Sequence, residues 1–330
     1  MVDSQFRTEI QYGRETTYGT EVATTTEIGK VTNFTPSNEN NYLYTRGLGE
    51  GRNVVNTLFG NYDCGGSLTW EVHDFEFLQH WIGPKSGAGT AGDHYILTEA
   101  NVVGVTNTTD ITPFSLEVNH QNNTDDDTDT YVGCVGNTFN LNGQIGGKLT
   151  AQGSFVAQKP VSSTTGTSYT AVTTNPWIMV QGTWSWGSSP TQLSGVQAFS
   201  VSHNNNLILS RDLDSRFISI PVAGVADYNF NLLIKMTSTV ATTLRDDFYG
   251  ASNTPSTGVA SASPTANLEF KIEFSEGSSS SDRNANIWLD QCSIDNISKP
   301  VAVGDNLVIL EINGTAKSGR GNTPINWWTI

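Results

Sequence analysis

The sequence predicts a mainly β protein of two tandem, similar domains, each with a short helix on one flank. Thr, Val and aromatic residues, with 32 glycines among 330 residues, favour pleated strands and tight turns, and few runs of Ala, Leu, Glu and Lys occur to sustain helices. The stretch VQAFSVSHNNNLILSRDL repeats KVTNFTPSNENNYLYTRGL without a gap: Phe34 falls on Phe199, Ser37 on Ser202, Asn40 and Asn41 on Asn205 and Asn206, Arg46 on Arg211 and Leu48 on Leu213. The length is enough for two domains that each bury a core.

The opening MVDSQFRTEIQYGRETTYG has neither a basic n-region nor an apolar h-region, and nowhere do about 18 apolar residues run together. A soluble protein made in a cytoplasm, without membrane contact, is expected. Further on, GGSLTWEVHDFEFLQHWIG reads as a strand and then a short amphipathic helix. Phe75, Leu78 and Trp81 or Ile82 recur at helical spacing, and Gly83 followed by Pro84 ends it. Its counterpart NFNLLIKMTSTVATTLRDDFYG places Leu244 and Phe248 one turn apart and stops at Gly250. Small-residue loops follow in both copies, PKSGAGTAGD and ASNTPSTGVASASPT.

Then FSLEV, Phe114 to Val118, answers FKIEF, Phe270 to Phe274, with Glu117 over Glu273. Cys134, Gly146 and Leu149 fall on Cys292, Gly304 and Leu307 at one constant offset. Accidental matches would scatter in offset, whereas these are collinear, which is the mark of an internal duplication. The halves divide near residue 190, giving a first domain with its linker over residues 1–190 and a second over 191–330. The linker, TSYTAVTTNPWIMVQGTWSWGSSPTQLSG, has room for one or two strands of its own.

Composition also excludes function classes. The chain carries 17 basic and 32 acidic residues, a formal net charge of −15, and an isoelectric point near 4.6. Phosphate binding needs clusters of Lys and Arg that are absent. Three cysteines, Cys64, Cys134 and Cys292, are too few for a disulfide framework and stand in no zinc pattern, so they are expected to be free and buried. His73 and His80, seven apart, would share a helix face two turns apart, too far for one metal. The run NHQNNTDDDTDTY, with Asp125, Asp126, Asp127 and Asp129, offers hard oxygens to calcium but lacks the glycine and glutamate of an EF-hand. Together with its acid-poor counterpart SEGSSSSDRNANIW it reads as an exposed hairpin tip.

No nucleophile elbow, zinc-protease, P-loop or dinucleotide motif is present. Carboxylate pairs such as Glu71 with Asp74 or Asp246 with Asp247 are ordinary in an acidic chain, and the sequons at Asn296 and Asn313 are compositional. No enzyme activity, cofactor or metal is predicted. Arg46 and Arg211 occupy equivalent places in a chain poor in cations: either surface arginines, or bidentate partners of a carboxylate on a neighbouring domain. A domain given twice suits a symmetric device, since three chains would present six quasi-equivalent units in a ring.

RETTYGTEVATTTEIGKVTNF, FSVSHNNNL and CVGNTFNLNGQIGGKLTAQGSF resemble segments of the tail tube proteins of tailed bacterial and archaeal viruses, in collinear order over nearly the whole chain. The resemblance implies β-sandwich or part-barrel domains whose inner sheets join those of neighbours around a channel. It implies rings of three chains, stacked, in a virion tail assembled in the host cytoplasm. The chain itself would be the main partner, with tail terminator, tape measure and distal tail proteins, and DNA would pass through the lumen without specific binding. It further implies inter-subunit or ring-stacking roles for Arg46, Leu48 and Arg52 and for Arg211, Leu213 and Arg216. Phe34 with Phe199, Asn41 with Asn206 and Cys134 with Cys292 are the repeat-equivalent structural residues. A distal tail or baseplate hub protein of the same fold is the nearest alternative. A carbohydrate-binding or carbohydrate-cleaving β protein, suggested by eight tryptophans, is the alternative of another class.

Overall fold

A computed structural model of the chain describes residues 7–46, 54, 56–105, 109–121, 126–249, 268–277, 282–299, 308–319, 321 and 323–328. In the first half the strands are β1 (Arg7–Arg14), β2 (Thr26–Glu27), β3 (Lys30–Thr45), β4 (Asn56–Glu71), β5 (Lys85–Ser86), β6 (Tyr95–Leu97), β7 (Phe114–Gln121), β8 (Asp126–Gln144), β9 (Thr150–Ala157) and β10 (Lys159–Ser163). The second half has β11 (Gly182–Gly187), β12 (Thr191–Leu193), β13 (Val196–Asn204), β14 (Asp227–Lys235), β15 (Glu269–Ser275), β16 (Asn284–Asp290), β17 (Ser293–Ser298), β18 (Ile309–Ala316), β19 (Ser318–Gly319) and β20 (Ile325–Trp328). Among the described residues only α1 (Gln79–Ile82) and α2 (Ser238–Tyr249) are α-helical. The protein is mainly β, as its composition predicts, and neither sheet closes into a barrel.

The long strand β8 organises the first half. Its beginning lies between β7 and β10, and its end lies between β9 and β13. It therefore passes from one sheet layer into the other. The second half does this with two strands: β16 lies between β15 and β20, and β17 pairs with β18. The crossing is made at a left-handed residue placed directly before a cysteine, Gly133 (φ 66°) before Cys134 and Gln291 (φ 51°) before Cys292. Both cysteines are buried and free.

Local irregularities repeat too. The β3·β4 ladder slips between Val31 and Asn33, and β13·β14 slips between Val196 and Ala198. The β8·β9 ladder slips between Gly136 and Thr138, and β17·β18 between Ile294 and Asn296. Each pair falls on residues that the sequence alignment superposes. Because β13 pairs with β8, the halves fuse into one antiparallel path, β3-β4-β9-β8-β13-β14-β18-β17. Among the described residues this path ends in two edges without a further strand partner, β3 and β17.

Aromatic residues fill the space behind this path. Trp70, Phe77, Trp81 and Phe114 pack edge to face and tilted, with centroids 5.1–6.2 Å apart, and each such pair adds about 0.5–1.5 kcal/mol to area burial. Trp81 and Ile82 come from α1 and are buried, as are Leu78 in the 3-10 turn that leads into it (Glu76–Leu78) and Phe75 just before, so the spacing of the sequence marks buried positions although the α-helix itself is a single turn. A Cβ at Gly136 would stand 2.4 Å from the Trp81 ring. Only glycine lets this indole lie on β8. In the second half Leu244 of α2 is buried and Trp186 donates its Nε1–H to Asp247 at 2.7 Å. Gly250, Gly304, Leu307 and the ASNTPSTGVASASPT loop lie outside the described residues.

Three expectations are corrected. PKSGAGTAGD is not merely a loop: it begins with β5, and the following β6 pairs with β20, so the first half completes the sheet of the second. This pairing uses backbone groups, which a small-residue composition hides. His73 precedes the helical turn rather than sharing a face with His80. The hairpin around SEGSSSSDRNANIW does not simply project into solvent. Arg283 is buried, donating to the carbonyls of His73 at 3.2 Å and Asn175 at 3.0 Å, pairing with Glu276 and lying 4.6 Å from the Trp177 ring.

Candidate functional site

Among the described residues no group of three metal-binding side chains occurs. Asp126, Asp127 and Asp129 continue into β8 opposite Gln121, His120 and Val118, and Asp125 lies outside the described residues. His80 is enclosed by Tyr12, Phe77 and Phe114, and its Nδ1 meets the Thr112 carbonyl at 2.6 Å. Burial pulls its pKa down to about 3. His73 Nε2 lies 3.0 Å from Asp74 and 3.6 Å from Glu27. Burial alone would lower its pKa, but these carboxylates carry it above the usual value. Six tryptophans, Trp70, Trp81, Trp177, Trp184, Trp186 and Trp327, are buried.

The features that stand out are two hairpin arms continuing β3·β4 and β13·β14. The first arm extends β3 and β4 themselves, with Leu43 opposite Leu58 and Thr45 opposite Asn56. The second, residues 205–226, keeps the same register, Ile208 opposite Val222. The two behave differently. At the root of the second arm Asn206 turns left-handed (φ 46°), its Nδ2 donating to the Val225 carbonyl at 2.7 Å. The arm then crosses onto the first half. Phe217 meets Tyr62 edge to face at 6.0 Å, the Arg216 carbonyl accepts from Tyr62 N–H at 2.9 Å, and Ile218 is buried.

Two arginines fasten it. Arg211 Nη2 pairs with Asp63 and also donates to the Tyr62 carbonyl at 3.4 Å. Arg216 donates to Asn40 at 2.5 Å and lies over the Phe59 and Tyr62 rings at 4.8 and 5.6 Å. Arg211 thus meets a carboxylate of the other half, through one nitrogen rather than a fork. Leu213 is fully exposed at the arm's tip and Arg46 is exposed where β3 ends, whereas Leu48 and Arg52 lie outside the described residues. Asn41 and Asn206 do the same work: each donates its amide to an aspartate at 2.7 Å, Asp63 in the first half and Asp227 in the second. Phe34 is half-buried beside Tyr131 at 5.7 Å, whereas Phe199 is buried in the joint core.

The family model for the phage tail tube protein matches residues 5–316. The chain belongs to the phage tail tube protein family. It is a structural protein of the virion tail. No curated protein matches it, and no helix among its described residues is long and apolar enough to cross a membrane.

In this tail tube chain the Glu-x-x-Tyr-Gly-Thr phrase has a definite structural use. Glu15, buried, accepts from Gly19 N–H at 2.8 Å, Gly133 N–H at 2.7 Å and Ser115 Oγ–H at 2.9 Å. Burial raises its pKa although all three donors lower it. Glu15 thereby ties the amino-terminal segment to the kink in β8. From the same phrase Tyr18 donates to the Ile218 carbonyl at 3.4 Å, holding the second arm down. Asp63, Asp227, Tyr18 and Tyr62 were not among the sequence candidates. Carrying the alignment of GGSLTWEV with NFNLLIKM two residues toward the amino terminus would have superposed the two aspartates.

Proposed function

We propose that three copies of this chain close into a ring of six similar units, and that such rings stack into a tube through which viral DNA passes. The observation that carries the reading is the β3-β4-β9-β8-β13-β14-β18-β17 path, two slip-matched four-strand sets joined edge to edge and open at both ends. Open edges are a liability in a monomer, and a ring in which each end meets the next copy removes them. In this reading the units divide near residue 190, and the linker before it already serves the second set, since β11 pairs with β15.

The sheet face turned away from the core supports the channel role. It carries amides and hydroxyls such as Ser67, Asn140, Asn142, Ser202, Asn229 and Asn313, half-buried or exposed. With a chain net charge of −15, such a lining repels phosphate more than it binds it. Terminator, tape measure and distal tail proteins would meet the tube at its ends and in its bore.

Negative-stain electron microscopy of the concentrated protein, with ring symmetry from class averages, tests the reading. Hollow tubes with three-fold, pseudo-six-fold rings are expected. A persistent monomer, even with a tail-initiation complex added, would overturn it, and single rings that never stack would assign the chain to a hub at the tail tip.

A further inference from the structure

The contact between the two halves is a template for a contact between copies. We propose that Arg46 of one copy pairs with Asp227 of its neighbour, the first arm lying across the neighbour's second half as the second arm lies across the first half within one chain. The proposal rests on the ring reading above and adds to it a lateral role for an arm that resemblance alone assigns to subunit contact or stacking.

The argument starts from equivalence. Asp63 and Asp227 follow the same turn of the repeat and are gripped by the same asparagine at the same 2.7 Å. In each, Oδ2 accepts that amide. At Asp63 the other oxygen takes Arg211, the sequence equivalent of Arg46. At Asp227, which is exposed, no Lys or Arg among the described residues pairs with the carboxylate, and exposed Arg46 likewise forms no ion pair with an acid among them. Among the described residues, Arg46 and Asp227 stand without an ion pair at the two positions that the repeat says should meet.

Edges and apolar surface agree with this. If β3 of one copy meets β17 of the next in the register of β13 on β8, Arg46 is carried toward the neighbour's Asp227 just as Arg211 is carried toward Asp63. The first arm exposes Leu43 and Leu58, which pair on one face, and Tyr44 and Phe59 on the other, at 53–71%, more exposed apolar area than a free surface hairpin needs. Where the second arm buries Ile218 against the first half, the alignment gives the first arm Val54, which is 39% exposed.

The two contacts are not equal in strength. Pro36 stands in β3 where β13 has Val201, and proline on an edge strand turns its missing N–H outward. The junction between copies therefore has one ladder bond fewer than β8·β13. Tyr18 has no counterpart in the second half, so the arm's own contacts carry more of this junction.

Charge reversal tests the pair. Arg46→Asp and Asp227→Arg, each alone, are expected to raise the concentration needed for ring assembly by about tenfold or more, and the double variant to restore it. Both residues are exposed, so the thermal midpoint should not move for Arg46→Asp and should fall only slightly for Asp227→Arg, which also loses the bond from Asn206. Independently, Arg46→Cys combined with Asp227→Cys, treated with a short bismaleimide, should give covalent multimers, because the three native thiols are buried. The control pair Asp63→Cys with Arg211→Cys should cross-link within one chain. If the wild type assembles, both reversals assemble normally and the cysteine pair gives no multimers, this pairing is wrong while the tube reading stands. If the wild type never assembles, seeded or not, both fall.

Discussion

The two arms share a sequence pattern and a hairpin register but lie differently, and the difference teaches what decides the course of a polar hairpin. In the first arm the ladder slips at Asn41 and straightens again. A Cβ on Gly60 would come within 1.9 Å of the Asn41 carbonyl oxygen, so only glycine allows that slip. In the second, Asn206 adopts φ 46° and the arm bends over, a conformation asparagine tolerates better than most residues. Asparagine is present at both roots, so the residue type does not choose. What differs is the surface within reach: the second arm finds Asp63, Tyr62 and Tyr18 in its own chain, and the first finds no equivalent surface there.

The sharpest way to break the comparison is to loosen the junction that supplies this surface. Arg283 comes from the second half and is sunk against the first, held by two carbonyls, Glu276 and the face of Trp177. Arg283→Ala leaves the two carbonyls without their donor and a cavity beside the indole. Glu276 is exposed and stays solvated, so the loss comes from the carbonyls left without a donor, about 1–3 kcal/mol for a buried group, and urea denaturation should show a loss of this order. A change within about 0.5 kcal/mol, the usual range for surface substitutions, would mean that the halves hold together without this residue.

A smaller effect is expected from acid. His203 is stacked between Phe139 at 5.3 Å and Tyr228 at 4.4 Å, and its Nε2–H donates to Asn205 Oδ1 at 2.9 Å. Asn205 in turn donates to the carbonyls of Trp81 and Gly136 at 2.8 and 2.9 Å, anchoring the second arm's root. Burial depresses the His203 pKa to about 4, against the opposing pull of Asn205 and Asp227. A base with a lowered folded pKa contributes stability that is full above its ordinary value, about 6.5, and is lost as pH falls toward 4. Hydrogen exchange, corrected for intrinsic rates, should therefore show the Ile208 and Val222 amides losing protection between pH 6.5 and 4.5 before the Leu43 and Leu58 amides do. Equal loss in both arms would detach His203 from the arm.

Much of the fold was legible because a duplicated sequence repeats its strand pattern, and pattern is what periodicity detects. The match of Phe34 with Phe199 and of FSLEV with FKIEF located the paired strands, and Phe75, Leu78 and Trp81 located the helix. The glycine-rich run before β6 was read as a loop because its small residues carry no strand pattern, and the contact of β6 with β20, where Tyr95 packs on Trp327 at 5.4 Å, joins segments far apart in sequence. Of the candidate site, Arg46 and Arg211 were visible as rare cations at equivalent places. Their acidic partners were not, since Asp63 and Asp227 are two among 32 acidic residues and only the fold sets Asp63 against Arg211.

The mildest test separates fastening from folding. Arg211 and Asp63 are both partly exposed, and such pairs contribute about 0–1 kcal/mol. Arg211→Ala should therefore leave the unfolding midpoint nearly unchanged. It should still free the second arm locally, because Asp63 and the Tyr62 carbonyl lose the guanidinium that donates to them, leaving Phe217 its packing and Ile218 its bond from Tyr18. Limited proteolysis at Arg216 reads this directly: faster cleavage than in the wild type is expected, with the core fragments intact. Unaltered cleavage would mean that aromatic packing and the Tyr18 bond hold the arm without the ion pair. The arms would then differ by their apolar contacts alone, and the charge left over on Arg46 would matter less than the exposed Leu43, Tyr44, Leu58 and Phe59 beside it.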